Sequence, residues 1–579
     1  MYKRLFLAYS QLTAASQLTS AFLQTRNTFA LKPQSRLHTS MASQQSSWST
    51  TDPSHSKAAK EHLKVWPLDN DNAKLLNEVH PKSWSTEGTD PETVYDFIAI
   101  GAGAGGLVSS RQVARRGGKS AMISAHLAGG DCLNVGCVPS KALIRCARMI
   151  REVRKAQSEP EFGVNINGSV EVDFNQIMQR MRMKRAEIAP IDGHARGKEI
   201  GVDVFQGFGR FVDANTIEVV SSGHTGDGED VPKPILLKFR KAAICTGGRA
   251  TIPRGIPGLD KAPYTTNETL FNLTKLPKRM VVLGSGVVAL EMAQCFATFG
   301  SKVTVLVRSD KLFPRGDPDA GPYLQKILEE SSNIEFVKLA KLTNVETLRE
   351  IDSDNEGDLP LMRLSVESNG EKLELEAECL LVATGRSPNV ENLNLEAASV
   401  EYDARKGILV DDNARSTSNP NVFSVGDCTA DVPRLTHMSG EMAKVVVNNA
   451  LFDDDWKLSS LVVPSCMYTE PEFASVGVVT GGDDVDVYTA SLEHNDRSIL
   501  DSDKEGYVKV FTNKGTGVIV GCSIIAGRAG ELINEVTLAM KHDITLDGIG
   551  RNIHCYPTTG ESIMGCGLQI INSKWKLLN

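Results

Sequence analysis

From residue 95 onward, short apolar runs alternate with stretches whose apolar positions recur at helical spacing. The run Tyr95-Asp96-Phe97-Ile98-Ala99-Ile100 predicts a strand, Leu107 to Ala114 a helix, and Ser120-Ala121-Met122-Ile123 a second strand. That order is a βαβ unit opening a parallel sheet. The pattern recurs later: Arg279 to Leu283 predicts a strand, the segment through Phe299 a helix, and Val303 to Val307 the next strand. After Val462 the pattern changes. Strands at Gly506–Phe511 and Gly517–Cys522, then a helix at Ala529–Lys541, predict a separate α+β unit.

The expected fold class is therefore α/β, with two Rossmann-like dinucleotide-binding domains and a C-terminal α+β domain; that these are FAD and NAD(P) domains and a dimerisation domain is what the resemblance given below implies. The divisions read from the chain are a targeting leader (1–50) and a polar linker or arm (51–93). A first FAD-binding part (94–265) and an NAD(P)-binding domain (266–380) follow. An FAD-binding return segment (381–458) and the C-terminal domain (459–579) complete the chain. Polar stretches at Ser221–Asp230 and Asp352–Asp358 read as loops between strands.

At 579 residues the chain exceeds what one core supports. A formal charge of -8 gives no basic footprint for nucleic acid. No stretch approaches 18 consecutive apolar residues, so no membrane span is expected. Met1 to Thr50 contains no Asp or Glu but has Lys3, Arg4, Arg26, Lys32 and Arg36 among many hydroxyls. This composition is that of an organelle transit peptide, with mitochondrion favoured and plastid the alternative.

Each predicted βαβ unit carries a glycine fingerprint. Gly101, Gly103 and Gly106 follow the first strand as G-x-G-x-x-G: one for the turn, one admitting a pyrophosphate to the backbone, one for close helix packing. The second strand should end in an acid for the ribose, yet the chain has Ser124-Ala125-His126, leaving Ser124 as a less charge-assisted partner. Gly284, Gly286 and Ala289 form the second fingerprint. Arg308, together with Arg315, stands where an NAD-preferring site places an acid, which suits a 2′-phosphate and favours NADPH, with NADH as the alternative. Gly130, Gly247 and Gly385 complete the expected cofactor-contacting glycines.

The eleven cysteines are too sparse and irregular for a secreted disulfide scaffold. Cys146, Cys245, Cys295, Cys379, Cys428 and Cys522 read as small apolar residues. Cys132 and Cys137 differ: the run Gly129-Gly130-Asp131-Cys132-Leu133-Asn134-Val135-Gly136-Cys137-Val138-Pro139-Ser140-Lys141 precedes a helical pattern at Ala142–Ile150. A helix N-terminus and Lys141 would lower both thiol pKa values, as electron exchange requires. No second CxxC or nearby His pair supplies a zinc ligand set, and no metal site is expected.

These motifs resemble the class I pyridine nucleotide-disulfide oxidoreductases, over nearly everything from Tyr95 to Glu561. Within them, Pro67-Leu68-Asp69, Val79-His80-Pro81 and the Gly129–Arg145 run resemble the mercuric-reductase-like branch. The resemblance implies that Cys132 is the interchange thiol and Cys137 the charge-transfer thiol. It also implies that Lys141 and Glu291 pair beside the flavin. Gly426-Asp427 match a second FAD contact, and Ala383-Thr384-Gly385-Arg386 the return to the FAD domain. It implies a homodimer in which Tyr556 and Glu561 serve the partner's cysteine pair.

Two departures bear on the acceptor. Thiol-reducing members carry His before Pro; here Tyr556 stands there, as in mercuric reductases, while Glu561 is retained. Tyrosine, with a pKa of about 10, is no ready base near neutrality. His554, two residues earlier, would share Tyr556's side of an extended segment; a structural hydrogen bond is its expected role, with a share in proton transfer the alternative. The adjacent C-terminal cysteine pair of mercuric reductases is missing, leaving Cys555 and Cys566 as substitutes. The expectation is an NADPH-oxidising flavoenzyme whose acceptor is a thiol, disulfide or metal ion. A dihydrolipoamide-dehydrogenase-like enzyme and a non-catalytic redox-sensing flavoprotein are the alternatives.

Overall fold

The structure is a computed structural model, and it describes residues 47–84, 90, 92–221, 234–313, 316–350 and 358–576. The expected leader up to residue 46, Arg315 and most of the two polar loops lie outside the described residues.

The first sheet is built around Val94–Ile100, which lies parallel between Ser120–Ser124 and Ile235–Ile244. Val202–Asp213 extends it in parallel on one side and Val422–Ser424 on the other. Thr216–Ser221 runs antiparallel to both Val202–Asp213 and Ile235–Ile244. Strand Val94–Ile100 is almost wholly buried from Phe97 on, as a parallel strand covered on both faces requires. The late arrival of Val422–Ser424 returns the chain to this sheet after a long excursion.

That excursion builds a second, four-stranded parallel sheet in the order Cys379–Val382, Arg279–Leu283, Lys302–Leu306, Ile334–Val337. A three-stranded antiparallel sheet (Lys341–Arg349, Leu361–Ser368, Glu371–Ala377) follows it. The C-terminal unit is a five-stranded antiparallel sheet covered by helices Ala529–Lys541 and Glu561–Ser573. Its core includes Ile524, Ile533, Val536 and Ile563. The two Rossmann-like units and the α+β unit are as expected.

One expectation is corrected. Of the two readings of 51–93, linker or arm, the described residues form an arm packed on the core, and the folded chain begins before residue 50. Trp48 is buried and its indole N–H donates to the His80 carbonyl at 2.8 Å. Helix Pro53–Glu61 starts with Pro at N1 behind an Asp52 N-cap, and Asn70–Val79 behind an Asp69 N-cap. The second helix puts Leu75 and Val79 into the core of the first sheet and Leu76 against Trp48, Ala59 and Val65. Scattered polar residues hid this, although some of them, such as His55, Asn72 and His80, are themselves buried.

Candidate redox and dinucleotide site

The first strand ends at Gly101, whose φ of +118° is left-handed backbone that only glycine tolerates well. A Cβ on Gly106 would stand 1.8 Å from the Gly101 carbonyl oxygen, so the following helix (Ala104–Arg115) can close onto the strand only with hydrogen there. Gly103 and Gly130 approach each other as closely: a Cβ on Gly130 would lie 2.8 Å from the Gly103 Cα.

These turns open into a cavity of about 1060 Å³, lined by Gly101, Gly103, Gly130, Gly247 and Gly426 and reaching Cys132, Asp427 and Thr436. Glycine-lined, elongated and placed at the C-terminal ends of parallel strands, it fits an extended dinucleotide such as FAD. Gly385 does not line it; its carbonyl accepts from the Thr251 N–H, while neighbouring Arg386 reaches the cavity. Arg386 donates to Asp427 at 2.8 Å and to the Gly248 carbonyl at 2.6 Å, and also pairs with Asp131. Burial still holds the Asp131 carboxyl above the usual carboxylate range.

Ser124 lines the cavity but its hydroxyl is already engaged, donating to the His126 carbonyl at 3.3 Å and lying 3.1 Å from His194 Nε2. The expected substitute for the ribose acid is thus committed inside the protein. His194 is held neutral, its pKa pushed down to about 3 chiefly by burial.

Cys132 lies in the one-turn helix Gly130–Asn134, and Cys137 is the first residue of the long helix Cys137–Ser158. Gly136, between them, admits the bend: a Cβ there would meet the Asp131 carbonyl at 2.8 Å. Cys137 Sγ is 3.2 Å from Thr436 Oγ1. The expectation that both thiols are acidified is corrected. A hydrogen bond from Cys132, aided by Thr436 and Lys141, brings Cys137 down to about 6 against its burial. Cys132, as the donor in that bond and itself desolvated, is driven well above the ordinary thiol value. One sulfur is thus poised as thiolate and the other as thiol. Lys141, one turn on, pairs with buried Glu291 at 2.9 Å.

In the second unit Gly284 (φ +117°) makes the turn, and Gly286 opens helix Val287–Phe299 to solvent while Ala289 is buried. Arg308 is exposed just past strand Lys302–Leu306.

The C-terminal residues stand elsewhere. Tyr556 is 73% exposed and donates to Asp496 at 2.9 Å. His554 takes the structural hydrogen bond rather than the share in proton transfer: it turns inward to Glu535 at 3.0 Å, its side chain only 9% exposed. Glu561 accepts the Thr558 N–H at 3.0 Å, at the start of its helix. Cys566 is buried with its thiol directed to the Tyr488 carbonyl, whereas Cys555 is exposed, so the two do not form a substitute pair. None of Tyr556, His554 and Glu561 lines the cavity of its own chain.

Sequence reasoning missed Thr436, because nothing in Arg434-Leu435-Thr436-His437-Met438 gives a signal. It also missed Arg185, which donates to the Asn134 carbonyl at 2.6 Å and to Asn72 at 2.7 Å. Arg185 follows Arg180, Arg182 and Lys184, and a basic run in a helical pattern reads as a solvated face.

A two-nucleotide α/β chain with a polarised cysteine pair in its first cavity defines a dithiol redox flavoprotein class. The pyridine nucleotide-disulphide oxidoreductase family model matches residues 95–443, and that family's dimerisation domain matches 463–565. The mercuric reductase of Lysinibacillus sphaericus is 31% identical over 491 residues, covering 84% of this chain and 84% of its own length. The dihydrolipoyl dehydrogenase of Bacillus subtilis is 29% identical over 486 residues, covering 81% of this chain and 97% of its own. The HOCl-induced flavoprotein disulfide reductase RclA from Escherichia coli, solved as a Cu(II) complex, matches in fold. Its TM-score is 0.69 at 23% identity, over 82% of this chain and 99% of that one. This chain belongs to the pyridine nucleotide-disulphide oxidoreductase family and is a flavin-dependent enzyme of it; members bind FAD and use NAD(P)H.

Proposed function

We propose that the chain is an NADPH-oxidising reductase of the mercuric-reductase-like branch, passing electrons through Cys132 and Cys137 to a disulfide or soft metal ion. The polarised sulfur pair carries this reading: Cys137 acidified to about 6 beside a Cys132 thiol that faces the cavity. FAD, when bound, supplies the two-electron relay between reduced nicotinamide and the pair. Cys137 holds the thiolate at neutral pH, with Thr436 and Lys141 stabilising its charge. Cys132 keeps its proton until it meets the acceptor. Closing the Cys132–Cys137 bond then delivers two electrons and releases the Cys132 proton; a disulfide acceptor leaves as two thiols by taking that proton and one more from solvent. Arg308 supports NADPH, since a guanidinium suits the 2′-phosphate.

A homodimer accompanies this reading. Tyr556 and Ile553, 73% and 93% exposed, lie on the matched dimerisation segment away from their own cavity. Tyr556 would then meet Cys132 of the second copy as a hydrogen-bond donor or metal-coordinating phenol rather than a base. The acid-free leader supports an organellar location, the mitochondrion before the plastid.

An acceptor panel of Hg(II), small disulfides, lipoamide and quinones, run with NADPH and with NADH, tests the proposal. Reduction of Hg(II) or a disulfide, faster with NADPH and abolished in Cys132→Ser, is expected. Lipoamide turnover that exceeds every other acceptor without a change at Tyr556 would establish the dihydrolipoamide-dehydrogenase-like alternative instead.

A further inference from the structure

The N-terminal arm does more than pack. His62, Leu63 and Lys64, between its two helices, line the same cavity as the first glycine fingerprint and Cys132. The arm is fixed on both sides of that cavity. On one side, the Ala128 N–H donates to the Val79 carbonyl at 3.0 Å and His80 Nδ1 lies 3.1 Å from the His126 carbonyl, both on the segment leaving strand Ser120–Ser124. On the other, Lys64 Nζ pairs with Glu268 at 2.5 Å. The Trp66 N–H donates to Asn272 Oδ1 at 3.2 Å, and the Asn272 amide returns a bond to the Lys64 carbonyl at 2.8 Å. The segment therefore bridges from the strand end to the short helix Asn267–Leu270.

We infer that His62–Lys64 form an outer wall of the FAD site, clasped by Lys64–Glu268, and that this wall retains the cofactor. The inference rests on FAD occupying this cavity. The strand end lacks a carboxylate, and the Ser124 hydroxyl is already bonded to His126 and His194. The strand end therefore offers the ribose no charge-assisted anchor. A wall crossing the cavity compensates by slowing escape, an effect on dissociation rather than encounter. Lys64 also brings a cation to the rim of a cavity suited to a negatively charged pyrophosphate.

The test follows FAD release from the holoenzyme by recovery of flavin fluorescence. Lys64→Glu opposes two carboxylates across the clasp and should accelerate release by about fivefold, the factor that a partly exposed charge pair supplies. The reversed pair, Lys64→Glu with Glu268→Lys, should restore slow release. The melting temperature of FAD-free protein should be the same in all three. Equal release in wild type and Lys64→Glu, or fast release that persists in the reversed pair, overturns the clasp while leaving FAD binding intact. So does a loss of melting temperature in the FAD-free variant that matches the holoenzyme's, since the arm is then only a brace. A wild-type chain that holds no FAD overturns the cofactor reading itself.

Discussion

Lys141 and Glu291 join the two nucleotide units at one point: the Lys141 ammonium lies 3.1 and 2.9 Å from the two carboxylate oxygens of Glu291. Lys141 belongs to the cysteine helix and Glu291 to the helix of the second fingerprint. The Tyr468 N–H also donates to Glu291 Oε1 at 2.9 Å, and its ring lies 4.3 Å from the Lys141 nitrogen. A carboxylate only 2% exposed needs such partners, because removing them leaves an uncompensated buried charge. The pair thus fixes the two units and holds a cation near Cys137.

Replacing Lys141 by Met should therefore lower stability by about 1–3 kcal/mol, less than for a wholly buried pair because Lys141 is partly exposed. Denaturant unfolding measures this. The double change Lys141→Met with Glu291→Leu should recover most of the loss, since no charge is then left alone. A double variant less stable than the single one would show that packing, not charge, dominates.

The Cys137 thiol should titrate near 6 in the reduced protein. Its folded pKa is depressed, so the thiolate persists above that pH, while the stability it brings is complete only above the unfolded thiol value of about 8.5 and is lost as pH falls from there through the folded value. Thiolate absorbance near 240 nm, read as the difference between wild type and Cys137→Ser, should show this midpoint. Thr436→Val should move it upward, because it removes a partner of the charged sulfur. A midpoint at the ordinary thiol value of about 8.5 would contradict the polarised pair.

Local chemistry made much of this legible in advance. Gly101, Gly106 and Gly284 occupy turns whose geometry excludes side chains, and Cys132 and Cys137 sit at the helix start that their spacing implied. What stayed hidden was decided by partners distant in sequence. Ser124 was spent on His194, 70 residues away, and His554 turned to Glu535 instead of following Tyr556. The packing of the arm was not read because Leu75, Leu76 and Val79 meet partners only once the first sheet exists. Thr436 reaches Cys137 across 299 residues, which no periodicity reports.

Arg185 ties the arm to the redox turn, since one guanidinium serves both the Asn134 carbonyl and Asn72. It is buried, and desolvation with Arg182 nearby lowers its pKa to about 10. Arg185→Met keeps the volume but strands two buried acceptors, each worth about 1–3 kcal/mol when unsatisfied. Stability should fall by about 2 kcal/mol or more, and iodoacetamide should reach Cys132 faster as the turn loosens. A variant with wild-type stability and unchanged alkylation would show that the turn holds itself.

Asp317 gives a pH dependence of its own. It is fully buried against the C-terminal sheet, with Lys509 Nζ at 2.9 Å and the Tyr507 hydroxyl donating at 2.7 Å. Burial raises its pKa, but the bonds from Lys509 and Tyr507 outweigh it, leaving the carboxyl below the usual range. A depressed carboxylate stabilises the fold above the unfolded value of about 4, and that contribution fades as pH falls below it. Asp317→Asn should therefore cost stability at pH 7 and progressively less on acidification, until the two proteins converge. Because the contact joins the nucleotide unit to the C-terminal one, unfolding of the variant at pH 7 should also separate into two transitions where the wild type shows one. A stability gap that does not narrow with acid would assign the loss to packing of the amide rather than to the missing charge.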